Sequence, residues 1–403
     1  MNLHRRLFGL LDAARTNYLW RPSSTRGVVW ALESWARERP DDPFLSFEER
    51  SFSIGAFNAA ANRYAATYRR HHDLKRDDVV ALILRNRPAY LWHVYGLFKL
   101  GAIPALINPE LRDTSLIHAL AESAPRFIVC EGDLVATLTK AIAAIAAPIP
   151  HLEGILVDTE SDRDAPKDAE KTDSERPEAA AITRGDRPTS ARIPIPRTRP
   201  FKVDETRDNA RDDARDDARS RDIPLAATAA YVFTSGTTGL PKAAIVKHHR
   251  LYRAGRIFGD ILAAGRDDGL YICLPLFHAN AQVIGVPLAI LHRTRLILAR
   301  RFSAQRFFAD CAAHHATLAI YIGEICRYLL NTPPGPQDRT HGIRAILGNG
   351  LAPNLWRPLR TRFGIQQIAE FYAATEGNAE TVNILGIPGS CGSLIVGKRA
   401  LVP

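Results

Sequence analysis

Short apolar runs alternate with amphipathic segments along most of this chain of 403 residues. In the first half, apolar residues that recur at three and four positions predict helices over Ser53–His71 and Pro88–Leu100. Asp78–Leu84 lies between them, and its continuous apolar sequence is typical of a strand buried on both faces. Repeated helix–strand units imply right-handed crossovers. The chain is therefore predicted to have an α/β fold, with parallel sheets flanked by helices.

The alternation is interrupted from Asp158 to Asp222, where apolar residues thin out and Arg/Asp tetrads begin at Arg207 and Arg211. Such a composition cannot bury enough apolar surface to offset the entropy of ordering, and it predicts a disordered insertion. The four-residue period also allows a transient solvated helix held by ion pairs. The chain thus divides into a first α/β part at residues 1–157, a low-complexity insertion at 158–223 and a second α/β part at 224–403.

The formal net charge of +10 is compatible with a nucleic-acid partner. The basic residues are spread along the chain, however, without a stripe of interleaved aromatics, so no nucleic-acid partner is expected. The five cysteines show no C-x-x-C spacing, which argues against a metal cluster or a disulfide framework. Their pattern predicts ordinary thiols in a reducing, cytoplasmic compartment.

The sequence contains no apolar run of the length that a transmembrane helix needs. Residues 1–11 make a poor signal peptide, because they lack a long apolar region and a cleavage site. Arg5, Arg6 and Phe8 are spaced so that this segment could form a short interfacial helix, although packing onto the domain is favoured. The expectation is a cytoplasmic protein with, at most, peripheral contact at the inner face of the membrane. The sequence does not indicate an oligomeric state.

The string Tyr231-Val-Phe-Thr-Ser-Gly-Thr-Thr-Gly-Leu-Pro-Lys242 follows an apolar run that is typical of a strand. Gly236 and Gly239 allow a tight turn whose backbone N–H groups can converge on anionic oxygens. Hydroxyl donors and one mobile positive charge accompany the turn, and they come from Thr234, Ser235, Thr237, Thr238 and Lys242. A Walker A loop is excluded by the spacing. The string predicts a polyphosphate-binding loop, with a plain surface turn as the alternative.

A second string, Glu370-Phe-Tyr-Ala-Ala-Thr-Glu-Gly-Asn378, lies at the C-terminal end of another predicted strand, where open α/β sheets place their ligands. The carboxylate of Glu376 can hold Mg²⁺, and the hydroxyl of Thr375 can contact a phosphate. Tyr372 offers a flat face on which a base can stack. A polar loop at a strand end is the alternative.

Together the two strings resemble the signature blocks of the adenylate-forming superfamily, which includes acyl-CoA synthetases, luciferases and adenylation domains. The continuation Ala243–Arg250 is similar to the branch of fatty-acid transport proteins and very-long-chain acyl-CoA synthetases. The resemblance implies that Tyr372 contacts adenine, Thr375 the α-phosphate and Glu376 the metal. It also implies that the loop Gly348, Asn349, Gly350 borders the adenine and that His278 lies beside the acyl carboxylate. For His278 a core histidine is the alternative.

The reaction implied by the resemblance is ATP-dependent adenylation of a long-chain or very-long-chain fatty acid, followed by thioesterification to CoA. ATP or AMP, Mg²⁺ and CoA are the implied cofactors and co-substrates, and a link to fatty-acid uptake is implied too. The sequence stops before the Thr-Gly-Asp block and the mobile C-terminal domain of the family, so impaired turnover is expected. A non-catalytic nucleotide- or fatty-acid-binding protein, or a partner for an intact paralogue, is the alternative function.

Gly323 stands in Tyr321–Tyr328, a segment that resembles one typical of the same branch. A glycine there would let an acyl chain pass close to the backbone, but packing at a helix start explains it equally well.

Overall fold

The computed structural model describes residues 23–145, 149–158, 196–203, 222–235, 239–377, 380–383 and 386–392. The strands within these ranges are β1 (Pro43–Phe47), β2 (Arg50–Ser53), β3 (Val79–Ile83), β4 (Ile103–Leu106), β5 (Phe127–Cys130), β6 (Gly154–Asp158), β7 (Arg197–Phe201), β8 (Thr228–Ser235), β9 (Pro241–Lys247), β10 (Gly269–Ile272), β11 (Arg295–Leu298), β12 (Leu318–Ile322), β13 (Ala345–Asn349), β14 (Gln367–Ala373) and β15 (Glu380–Asn383).

The helices in the same ranges are α1 (Val28–Glu38), α2 (Ile54–His72), α3 (Pro88–Leu100), α4 (Asp113–Ser123), α5 (Val135–Ala143), α6 (His248–Leu262), α7 (Val286–Leu291), α8 (Phe307–Ala313), α9 (Gly323–Asn331), α10 (Gln337–Thr340) and α11 (Pro353–Phe363). A π-helical turn, Asn280–Gly285, precedes α7. None of the helices described is long and apolar enough to cross a membrane.

The strands form two sheets. The seven-stranded sheet has the order β7-β6-β5-β3-β4-β8-β9 and is parallel except for the β8–β9 hairpin. The eight-stranded sheet has the order β15-β14-β13-β12-β10-β11-β1-β2, with antiparallel pairs at its two edges. The predicted α/β fold with parallel sheets is confirmed, and the antiparallel edge pairs are an addition to it.

Local sequence signals set several element ends. The side chain of Ser53 accepts a hydrogen bond from the Ala56 N–H at 3.1 Å and so caps α2. Helix α3 starts with Pro88 at its first position and ends before Gly101, whose φ of 70° lies in the left-handed region. Gly96 of α3 lies so close to α2 that an added Cβ would be 3.0 Å from the Ala65 nitrogen. Close packing of α2 on α3 therefore depends on a residue without a side chain.

The insertion predicted for residues 158–223 requires a correction. Asp158 ends β6 and is buried, and Arg197–Phe201 form β7, which pairs with β6 in parallel at the edge of the sheet. The Arg/Asp tetrads lie outside the described residues. Phe201 explains why a strand forms in so polar a sequence. Its ring is 1 % exposed and packs among four aromatic side chains, those of Tyr64, Tyr68, His72 and His93.

We expect Phe201→Ala to destabilise the protein by about 3 kcal/mol, because it removes a large buried ring and leaves a cavity. Burial lowers the pKa of His93 to about 3, so this imidazole is neutral at pH 7. The cavity left by the Phe201 ring would lie beside it. Urea denaturation measures the loss. Thr198→Ala, an exposed change on the same strand, should cost less than about 0.5 kcal/mol. Equal stability of the two variants would contradict the anchoring role of Phe201.

Candidate functional site

The first string lies at the β8–β9 hairpin of the seven-stranded sheet. Thr234 is half-buried near the end of β8 and pairs in register with Lys242, which is exposed near the start of β9. Gly239 has a φ of 83°, a conformation that side chains disfavour, in the turn between them. Gly236, Thr237 and Thr238 lie outside the described residues, and so does the side chain of Ser235. The described part therefore consists of two antiparallel strands, with Lys242 near the start of the second one.

The second string lies at the carboxyl end of β14 in the eight-stranded sheet. Because successive side chains of a strand point to opposite faces, Phe371 and Ala373 share one face and Tyr372 lies on the other. Tyr372 is 65 % exposed. Thr375 is half-buried and Glu376 is exposed in the loop that follows. The string thus combines the two faces of a strand end with the polar loop that follows it.

A cavity of about 340 Å³ lies between β9, the first turns of α6, the π-helical turn and the end of β14. Its apolar wall is made by Phe258, Val283, Ile284 and Phe371. Its polar wall is made by Lys247, His249, Arg250, Arg253, Asn280, Thr375 and Glu376. A cavity with one apolar wall and one polar, largely basic wall suits an amphipathic ligand with an anionic end.

Thr375 and Glu376 are the predicted site residues that the structure brings to this cavity. Within the described residues, its lining does not include Lys242, His278 or Tyr372. His278 is exposed in the turn after β10, directly before two residues of the lining, Ala279 and Asn280.

The loop Gly348, Asn349, Gly350 lies beside the same region, at the end of β13. The Nδ2 of Asn280, in the cavity wall, donates to the Oδ1 of Asn349 at 2.7 Å. An added Cβ on Gly348 would be 2.2 Å from the Tyr321 carbonyl oxygen, and Gly350 has a φ of 78°. An added Cβ on Gly323 would be 1.8 Å from the Gly350 oxygen. Of the two explanations for Gly323, the structure favours packing at a helix start.

Glu370 is a buried residue that sequence reasoning did not single out. It accepts hydrogen bonds from the Tyr321 hydroxyl and, at 2.9 Å, from the Leu351 N–H. Its side chain lies on the same face of β14 as Tyr372. Burial raises the pKa of its carboxyl above the usual value. The only signal in the sequence is a carboxylate within the mostly apolar strand β14.

The raised pKa of Glu370 predicts a pH dependence of stability. The folded protein keeps the Glu370 proton to a higher pH than the unfolded chain does, so the stability contributed by this group is present below pH 4.5 and is lost as pH rises through the folded pKa. Glutamine does not titrate. We therefore expect the free energy of unfolding of the wild type, relative to Glu370→Gln, to fall as pH rises above 4.5 in urea denaturation. Glu122→Gln, an exposed change on α4, is the control, and a flat difference for Glu370→Gln would contradict the assignment.

Arg250 was also not singled out by the sequence. Its Nη2 donates to the Ala374 carbonyl oxygen at 2.6 Å. The donor lies on α6, directly after the β8–β9 hairpin, and the acceptor lies directly before Thr375. This hydrogen bond thus connects the regions of the two strings.

The side chains at the site differ in what they offer to a metal ion and to a nucleotide. Among the described residues, no three His, Cys, Asp or Glu side chains are grouped as a metal cluster. Mg²⁺ in nucleotide sites is commonly held by one or two carboxylates together with phosphates and water. The single exposed carboxylate of Glu376 fits that mode. The exposed ring of Tyr372 beside a glycine-containing loop fits a purine base.

Comparison with known proteins gives a family match over most of the chain. Residues 32–402 match the model of the family described as AMP-binding enzyme. A medium/long-chain-fatty-acid–CoA ligase, FadD6 of Mycobacterium tuberculosis, is 35% identical over 95% of this chain and 56% of its own length. Long-chain fatty acid transport protein 2 of Rattus norvegicus is 33% identical over 89% of this chain and 52% of its own length. The chain thus spans about half the length of these relatives.

Solved structures agree on the fold. The N-terminal domain of FACL13 from Mycobacterium tuberculosis aligns with a TM-score of 0.67 at 18% identity, over 91% of this chain and 82% of that domain. The anthranilate CoA ligase AuaEII, in complex with anthranoyl-AMP, aligns with a TM-score of 0.69 at 16% identity, over 92% of this chain and 65% of that one. The sheets, the two signature strings and the family match lead to one conclusion. The chain belongs to the AMP-binding enzyme family.

Proposed function

We propose that this chain carries the nucleotide and acyl sites of an AMP-forming long-chain fatty-acid–CoA ligase. The observation that carries the proposal is the cavity that joins an apolar wall to Thr375 and Glu376. An acyl chain would lie against Phe258, Val283 and Phe371, with its carboxylate toward the loop after β14. The names of the relatives support a fatty acid as the substrate.

The nucleotide is proposed to lie on the other face of β14. Tyr372 and the Gly348–Gly350 loop would hold the adenine, and the β8–β9 hairpin with Lys242 would hold the phosphates. Because the Thr375–Glu376 loop follows the end of β14 and lines the cavity, the carboxylate and the α-phosphate would meet there. Holding both reactants in one place is the main physical requirement of this reaction.

In the proposed reaction, a carboxylate oxygen bonds to the α-phosphorus of ATP as the bond to the pyrophosphate oxygen breaks. The products are acyl-AMP and pyrophosphate. The CoA thiol then attacks the acyl carbon, loses its proton and displaces AMP. Thr375 and Lys242 would donate to phosphate oxygens as charge develops. Mg²⁺, held by Glu376, would neutralise phosphate charge. His278, one residue from the cavity wall, is proposed to lie at the entrance for the acyl carboxylate.

The test is pyrophosphate release by the purified chain with ATP, Mg²⁺ and either palmitate or decanoate. We expect release that depends on both ATP and the fatty acid, with acyl-AMP detected by mass spectrometry. Benzoate, which lacks a long apolar tail, is the control carboxylate. Tight binding of ATP and palmitate without release would instead assign the non-catalytic alternative. Release that is indifferent to the carboxylate would contradict the proposal. Peripheral contact with a membrane stays a prediction of the sequence.

A further inference from the structure

We propose that Arg250 is a positioning residue that sets the distance between the phosphate-binding hairpin and the Thr375–Glu376 loop. This inference rests on the proposed function. It starts from the hydrogen bond of 2.6 Å that the Arg250 guanidinium donates to the Ala374 carbonyl oxygen. Hydrogen bonds with a charged donor are shorter and stronger than neutral ones, so this contact can hold a loop in place.

The contact between Arg250 and Ala374 joins segments that follow strands of different sheets. Helix α6 begins at His248, immediately after β9, so Arg250 lies three residues beyond the seven-stranded sheet. Ala374 follows β14 of the eight-stranded sheet and precedes the two polar residues of the loop. The contact therefore links the start of α6, which follows the hairpin, to the loop that would meet the α-phosphate.

Arg250 also lines the cavity, as does Arg253 one turn later on α6. A guanidinium that only attracted the fatty carboxylate would change the KM for the acid. A guanidinium that holds the loop would change the rate of adenylation, since small displacements of reacting groups cost large factors in rate. The two roles are thus separable by kinetics. Lysine keeps the charge of arginine but not its planar array of donors.

The kinetic test uses Arg250→Ala and Arg250→Lys in the full chain, measured by pyrophosphate release. We expect Arg250→Ala to lower kcat by about 100-fold and to change the KM for palmitate by less than about 3-fold. Arg250→Lys should recover part of kcat. Arg256→Ala is the matched control, because Arg256 lies on the same helix, faces Asp260 at 3.9 Å and does not belong to the cavity lining. A raised KM with unchanged kcat would overturn the proposal.

Hydrogen–deuterium exchange of the peptide covering residues 371–377 tests the placement without any activity. We expect about 10-fold faster exchange there in Arg250→Ala than in the wild type and in Arg256→Ala, with Arg250→Lys between them. Identical exchange in all four proteins would overturn the positioning role, whatever the kinetics. If the wild-type chain releases no pyrophosphate, the proposed function is contradicted. The exchange result alone then decides whether Arg250 positions the loop.

Discussion

We expect Lys242→Ala to lower fatty-acid-dependent pyrophosphate release by roughly 10³-fold. Lys242 is exposed near the start of β9, in register with Thr234, and carries a positive charge on a flexible side chain. The string has no other charged residue, so in the proposed site the Lys242 ammonium would supply the positive charge that phosphates require. Removal of one preorganised group at such a site typically costs 10²- to 10³-fold in rate. Initial rates at saturating ATP and palmitate measure the effect.

The control for Lys242→Ala is Lys140→Ala, which removes an exposed lysine near the end of α5 and lies outside the two strings. It should retain the wild-type rate. If both variants lose the same fraction of activity, the effect belongs to the net charge of the protein and the phosphate-binding role of Lys242 is wrong.

We expect a loss of similar size, roughly 10³-fold, from Glu376→Ala, together with a changed dependence on Mg²⁺. Glu376 is exposed in the loop after β14 and lines the cavity together with Thr375. If its carboxylate holds Mg²⁺, the variant should need a higher Mg²⁺ concentration to reach half of its maximal rate. Rates measured over a series of Mg²⁺ concentrations at fixed ATP check this.

Glu122→Gln, an exposed change on α4, is the control for the acidic charge of Glu376. It should leave both the rate and the Mg²⁺ dependence unchanged. A Glu376→Ala protein that lost activity but kept the wild-type Mg²⁺ dependence would contradict metal binding by this residue.

The sequence predicts the regular elements well where the local pattern is strong. Helix α3 has the predicted bounds because Pro88 and Gly101 mark its two ends within a continuous apolar segment. Strand β3 is one residue shorter at each end than the apolar run that predicted it. These elements are set by neighbours in sequence, so a short window of residues contains the information.

What the sequence did not predict depends on distant contacts. β7 forms because Phe201 reaches an aromatic cage built by α2 and α3, whereas the local composition favours disorder. Arg250 and Ala374 are 124 positions apart, and Glu370 is 49 from Tyr321. The signature strings supplied the candidate residues, but the side chains that surround and connect them emerge only when the two sheets are assembled.

The contact between Gly323 and Gly350 has an evolutionary consequence. With an added Cβ only 1.8 Å from a backbone oxygen, a mutation at position 323 cannot be absorbed by a rotamer change and would displace the loop that ends β13. Gly350, with its left-handed φ, is restricted for an independent reason. Both positions are therefore confined to glycine, position 323 by lack of space and position 350 by its backbone conformation. In a family tree, a lineage that replaces Gly323 should therefore also have rebuilt the Gly348–Gly350 loop, which is proposed to hold the adenine.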